Sequence, residues 1–88
     1  MSLTTNRQLR AARALLGWEQ KDVAAAAGVS DATVRRMERI EGDIRGQHGT
    51  VQKVQRALEE AGVEFTNGMK PGVRLDLSKA QTAANAAA

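Results

Sequence analysis

The sequence predicts a mainly α domain, four short helices followed by a small C-terminal β-hairpin. Two observations lead to that fold class. Through residues 1–62 apolar side chains recur at helical intervals of three and four, and three of the four runs stop at a glycine, Gly17, Gly28 and Gly62. Beyond residue 62 the period drops to two: VEF and VRL alternate apolar and polar residues around the turn-forming stretch TNGMKPG.

Each element has its own local reason. Thr5 and Gln8 stand three apart, as a capping box requires, and Leu9, Ala12, Arg13 and Leu16 then share one stripe of a first helix over about residues 6–16. Gly17 suits the left-handed position past its end. Gln20 to Ala27 forms the second helix, with Val23, Ala24 and Ala27 facing inward, and Gly28 ends it. Ser30 caps a third helix over residues 31–39, whose core contacts are Val34 and Met37. IEGDIRGQHGT carries three glycines and reads as a long loop pinned by Ile40 and Ile44, with His48 exposed in it. Thr50 caps a fourth helix that reaches about Ala61, with Val51, Val54 and Leu58 on its apolar face. The ending SKAQTAANAAA has helix-forming alanines but no side chain large enough to dock, so it is expected to fray as a flexible tail.

Composition narrows the function classes. Eighty-eight residues make one domain, and a chain this short hides only about 60% of its unfolded surface, too little for a deep catalytic cleft. There is no cysteine, hence no disulfide framework and no thiolate metal site, which suits a reducing compartment. His48 is the single histidine, with no second ligand to share a metal and no recognisable nucleophile beside it; neither a cofactor nor an enzymatic activity is expected. No apolar run approaches the about 20 residues of a membrane span, and no signal-peptide core opens the chain, so a soluble cytoplasmic protein with no membrane partner is expected. The net charge of +3 is unevenly spread: residues 1–56 hold ten Lys/Arg against six Asp/Glu, and residues 57–88 hold three against four. The basic part is where a polyanion would be met, although a solvated helical face has the same composition.

The stretch AAAAGVSDATVRRMER concentrates the signal. With Asp31 set at 0° on an ideal helix, Arg35 falls at about 40°, Arg39 at about 80°, Ala32 at about 100° and Arg36 at about 140°. Val34 and Met37 lie near 300° and 240° on the same scale, so the cationic arc and the core arc face opposite ways. Small residues before the turn, Ala24 above all, let two short helices approach closely at roughly 90–120°. Gly28 supplies the positive φ of the corner, and Val29 and Val34 plug it.

These residues resemble the phage-repressor and Cro-like helix-turn-helix regulators, the XRE type. Gln20, Val23, Ala24, Ala27, Gly28, Val29, Val34 and Met37 occupy the first, fourth, fifth, eighth, ninth, tenth, fifteenth and eighteenth places of that motif. ALEEAGVEF and GVRL resemble a recurrent ending of short bacterial members, so the likeness covers about residues 5–75. One departure is Glu19, where many members carry a Ser or Thr cap. The resemblance implies a lambda-repressor-like four-helix domain that binds double-stranded DNA and regulates transcription, often as a homodimer on near-palindromic operators. It also implies a salt bridge between Arg13 and Glu38 that ties the first helix to the third, a structural role shared with Ala24, Gly28 and Val34. The working division is then a DNA-binding unit over residues 1–62, a hairpin over 63–77 and a tail over 78–88, in a nucleoid-associated cytoplasmic protein, most simply a repressor.

On that expectation Asp31, Ala32, Arg35 and Arg36 are the base-contacting residues. Arg36 is the candidate for bidentate contact with guanine O6 and N7, Ala32 for a thymine methyl and Asp31 for a cytosine amino group. Asp31 could equally serve the helix N-terminus or repel a misplaced phosphate. Gln20, Lys21, Arg39, Arg45 and Lys53 are the expected phosphate neighbours. Trp18 reads either as a stacking platform or as an apolar lid, the lid being the simpler role. A two-stranded ribbon is marginal alone, so Val63, Phe65, Val73 and Leu75 bury one face against the bundle, against another chain, or both; they are the expected homodimer contact. The rival reading is an antitoxin-type interaction module whose hairpin or tail grips a protein partner.

Overall fold

The computed structural model describes residues 3–44 and 48–79. In chain order they form α1 (Asn6–Leu16), α2 (Gln20–Ala27), α3 (Asp31–Arg39), α4 (His48–Glu60), β1 (Val63–Thr66) and β2 (Gly72–Leu75). The protein is therefore mainly helical, with a two-stranded antiparallel sheet at its C-terminal end.

The caps explain where the first three helices begin and end. Thr5 Oγ1 accepts the Gln8 amide at 3.2 Å, while Gln8 Oε1 accepts the amides of Thr4 and Thr5 at 2.8 and 3.1 Å. Orphan donors at the start of α1 are thus satisfied from both sides. At the start of α3, Ser30 Oγ accepts the Thr33 amide at 3.1 Å. Gly28 sits at φ 71°, and Val29 N–H reaches back to the Ala24 carbonyl at 3.0 Å, closing the corner between α2 and α3.

One core is shared by the described residues. Leu9, Ala12, Val23, Val34, Met37, Val54, Leu58 and Phe65 are each at most 2% exposed, drawn from all four helices and β1. Each fully buried Leu, Val, Met or Phe side chain contributes about 1.5–3 kcal/mol relative to exposure. Ala24 is buried at the corner and Ala27 is half-buried against the core, while Ala25 and Ala26 are exposed, so two methyls of that run face inward.

The structure corrects or sharpens the sequence reading in four places. First, α4 begins at His48, two residues before Thr50, so His48 and Gly49 belong to a helix and Thr50 is inside it, not its cap. Glycine is least costly at a helix end, which is where Gly49 lies. Second, Leu3 is a core residue at 1% exposure. Its neighbours pair with the segment after α3: Thr5 bridges Asp43, and Ile44 N–H donates to Thr4 O at 2.8 Å. Third, the hairpin covers its inner face within its own chain. Val63 pairs with Leu75 and Phe65 with Val73; Val63 and Phe65 are 1% and 2% exposed, and Val73 and Leu75 are half-buried against the same core. α1 and α4 supply the cover that an isolated ribbon lacks, which is the burial against the bundle that the sequence reading allowed. Fourth, Ser78 and Lys79 are not a free tail: residues 77–79 are helical, and Asp76 Oδ1 accepts from the Ser78 amide, the Ser78 hydroxyl and the Lys79 amide. The rest of the expected tail, residues 80–88, lies outside the described residues.

Candidate nucleic-acid interface

The site is one face of α3 and the way the rest of the fold presents it. Asp31, Ala32, Arg35, Arg36 and Arg39 are exposed, and Val34, Met37 and Glu38 on the opposite side are buried. A helix nine residues long exposes its cations here because its aliphatic side chains are consumed by the corner with α2 and by the core. Among the described residues, Asp31 and Arg35 do not form the i, i+4 ion pair that their spacing permits. Arg39 Nε leans on the Arg35 carbonyl at 3.5 Å, a long contact that leaves the guanidinium at the surface.

Behind this face lies a buried cluster centred on Glu38. Arg13 Nε is 2.6 Å from Glu38 Oε2 and Arg13 Nη2 is 2.8 Å from Glu38 Oε1, a bidentate pair. Arg13 Nη1 also donates to the Trp18 carbonyl at 3.2 Å. The hydrogen bond and charge of Glu38 raise the Arg13 pKa above its ordinary value, against the opposing effect of burial. The Glu38 side chain is 6% exposed and that of Arg13 is 22%, so the pair joins α1 to α3 at the edge of the core.

Gln20 belongs to this cluster as well. Its Nε2 donates to Glu38 Oε1 at 3.1 Å, an engagement that spacing along the chain does not reveal. An amide NH₂ carries two hydrogens, so one can stay on Glu38 while the other is offered outward. Lys21 is exposed and lies 3.4 Å from the Glu19 carboxylate, an ion pair between two solvated side chains. Such a pair contributes about 0–1 kcal/mol. Lys53 is exposed on α4, apart from the α2–α3 corner in sequence, and Arg45 lies outside the described residues. Ala24, Gly28 and Val34 meet at the corner itself. Trp18 is half-buried against the core between α1 and α2.

Two buried amides on α1 escape a sequence reading. Gln8 Nε2 donates to the carbonyls of Thr66 and Gly72, at 2.9 and 3.2 Å, and so fastens the hairpin to α1. Asn6, 1% exposed, donates through Nδ2 to the Glu38 main-chain carbonyl at 3.1 Å. Gln8 was legible as a capping residue but not as a brace; Asn6 gave no signal, since a polar residue at a helix start is expected to face water.

A surface hollow of about 660 Å³ runs between the start of α1, Glu41–Gly42 and Pro71–Gly72. Among its lining residues there is no nucleophile paired with a base. No helix among the described residues is long and apolar enough to cross a membrane.

A family model described as Helix-turn-helix matches residues 9–47. None of the curated proteins compared with the chain matches it. The matched segment contains most of α1, all of α2 and α3, the Gly28 corner and both members of the Arg13–Glu38 pair. That family is one of DNA-binding regulatory domains, not of enzymes. The corner, the buried face and the exposed arc of α2 and α3 agree with that match, which is consistent with the XRE type, the Cro and repressor-like family of DNA-binding transcriptional regulators.

Proposed function

We propose that the protein represses transcription by occupying operator-like duplex DNA as a homodimer, with α3 in the major groove of each half-site. The observation that carries this reading is the outward arc of Asp31, Ala32, Arg35, Arg36 and Arg39 on a helix whose other face is buried. In the assigned roles, Arg36 reads a guanine, Ala32 and Asp31 set neighbouring preferences, and Arg35 stands at the same edge. Gln20, Lys21, Arg39, Arg45 and Lys53 meet phosphates and set register. Gln20 reaches its phosphate with an amide already oriented by Glu38. The protein would work where the chromosome is, in the cytoplasm.

The dimer contact is assigned to the outer side of the hairpin and α4. Val63 and Phe65 shape that surface from beneath, Val73 and Leu75 border it, and Leu77, 74% exposed, adds apolar area beside it. Two α3 helices held about 34 Å apart along the duplex would match near-palindromic half-sites.

The deciding experiment is selection of bound duplexes from a random pool at two salt concentrations. The expected outcome is an inverted repeat whose half-sites are one helical turn apart, bound with an affinity that falls steeply with salt. Recovery of no preferred sequence, with no saturable complex at low salt, would overturn the reading.

A further inference from the structure

We infer that Asn6 is a positioning residue for the DNA-facing end of α3, an inference that rests on the DNA-binding reading above and names how the same face is held. Asn6 opens α1, 32 residues before Glu38 in the sequence. Its side chain is buried, and Nδ2 donates to the main-chain carbonyl of Glu38 at 3.1 Å. Its own amide faces Gly42 O at 3.4 Å.

Three features separate this contact from ordinary packing. The Glu38 carbonyl belongs to the last turn of α3, where carbonyls have lost their intrahelical partners and need another donor. The Asn6 acceptor, Oδ1, is buried with no hydrogen-bond partner. A half-satisfied amide is a costly way to fill core volume, so what the position gains is its donor. Finally, the other tie between α1 and α3, from Arg13, grips Glu38 at the tip of a side chain with several rotatable bonds. The side-chain pair can survive a tilt of the helix end; a bond to the backbone carbonyl cannot. Asn6 and Arg13 lie two turns apart on one face of α1 and hold the same residue of α3, one by backbone and one by carboxylate. The last turn so fixed carries Arg36 and Arg39.

The test compares wild type with Asn6→Asp, Asn6→Ala and a stability control, Leu9→Val, on the best duplex from the random pool and on a scrambled one, across a salt series. Asn6→Asp keeps the volume and removes the donor but sets a buried carboxylate against the Glu38 carbonyl. Asn6→Ala removes the donor without adding a charge, so melting is recorded beside binding and the folded variants are compared. Both Asn6 variants should bind the selected duplex about tenfold more weakly, with the slope of log K against log salt shallower by about 0.9, one phosphate contact. The ratio of selected to scrambled affinity should also shrink several-fold. Leu9→Val, a truncation in the core on α1, should melt earlier yet keep the wild-type slope and ratio. Unchanged slope and ratio in the folded Asn6 variants would overturn the inference while the DNA-binding reading stood; a wild type without any saturable complex sinks that reading and the inference with it. In the wild type itself, the Asn6 side-chain amide should exchange slowly by NMR both free and on DNA. Rapid exchange in the complex would also overturn the role.

Discussion

At the scale of single residues, Glu38 carries the most. Its carboxylate holds Arg13 and Gln20 and its carbonyl holds Asn6, so three side chains from two helices depend on it. Glu38→Ala leaves a partly buried guanidinium unpaired. Thermal melting should show a loss near the low end of the about 3–5 kcal/mol typical of breaking a buried pair, because Arg13 keeps some solvent. The double variant Arg13→Met/Glu38→Leu is expected to regain much of that loss, as hydrophobic replacements of buried ion pairs often do. Arg36→Ala should leave the melting temperature unchanged and cost about 1–3 kcal/mol on the selected duplex, with a smaller loss on a scrambled one. Equal losses on both duplexes would remove Arg36 from base reading. Much at this scale was legible beforehand: the direction of each α3 side chain follows from helical spacing alone. The buried amides of Asn6 and Gln8 were not, because periodicity reports apolar side chains and says nothing about which polar one is needed by a distant carbonyl.

Among the elements, the corner between α2 and α3 is the most constrained. Gly28 lies at φ 71°, and a Cβ there would meet nothing within 4 Å. Gly28→Ala therefore strains the backbone without a clash. Denaturant unfolding should report a loss of about 1–2 kcal/mol, the cost of placing a residue with a Cβ in the left-handed region. The turn after β2 offers a second test. Hydrogen bonds from Ser78 and Lys79 hold the Asp76 carboxyl below its ordinary value. A depressed carboxylate contributes order above its unfolded pKa and loses it as pH falls through the folded value. Protection of the Ser78 and Lys79 amides, taken relative to the intrinsic exchange rate at each pH, should therefore be present at neutral pH and lost in acid, below the usual carboxylate range; in Asp76→Ala it should be absent throughout. Glycine and caps marked the ends of α1, α2 and α3 well. The start of α4 was misplaced because Thr50 looks like a cap and Gly49 like a loop residue, whereas the last three turns of Val51, Val54 and Leu58 are strong enough to carry a weak first one. The hairpin was recognised from its period, which also marked the side carrying Val63, Phe65, Val73 and Leu75 as the one to be covered; that α1 and α4 cover it is a matter of tertiary packing, which period cannot supply.

For the whole molecule, the division of charge matches the division of labour proposed here. The positive excess lies in residues 1–56 and the hairpin region is slightly acidic, which suits a protein that turns its helical end toward phosphates and its sheet away. Lys21→Ala should weaken binding to all duplexes alike and lower the salt slope by about one. A loss confined to one sequence would instead make Lys21 a base reader. Sedimentation at rising concentration should give a dimer, weakened by Leu77→Ser if the surface beside β2 is the contact. Fold class was readable because a chain of this size has one core and each segment must contribute to it. Whether its surface meets a second copy depends on the outer side of the hairpin, on which sequence pattern and single-chain burial are both silent.

The placement of Trp18 has a practical corollary. It is the sole indole in the chain, it rests half-buried between α1 and α2, and its carbonyl accepts Arg13. Emission from this one ring can therefore follow, without any label, both the opening of the Arg13 clamp on melting and the arrival of a duplex at the adjoining start of α2.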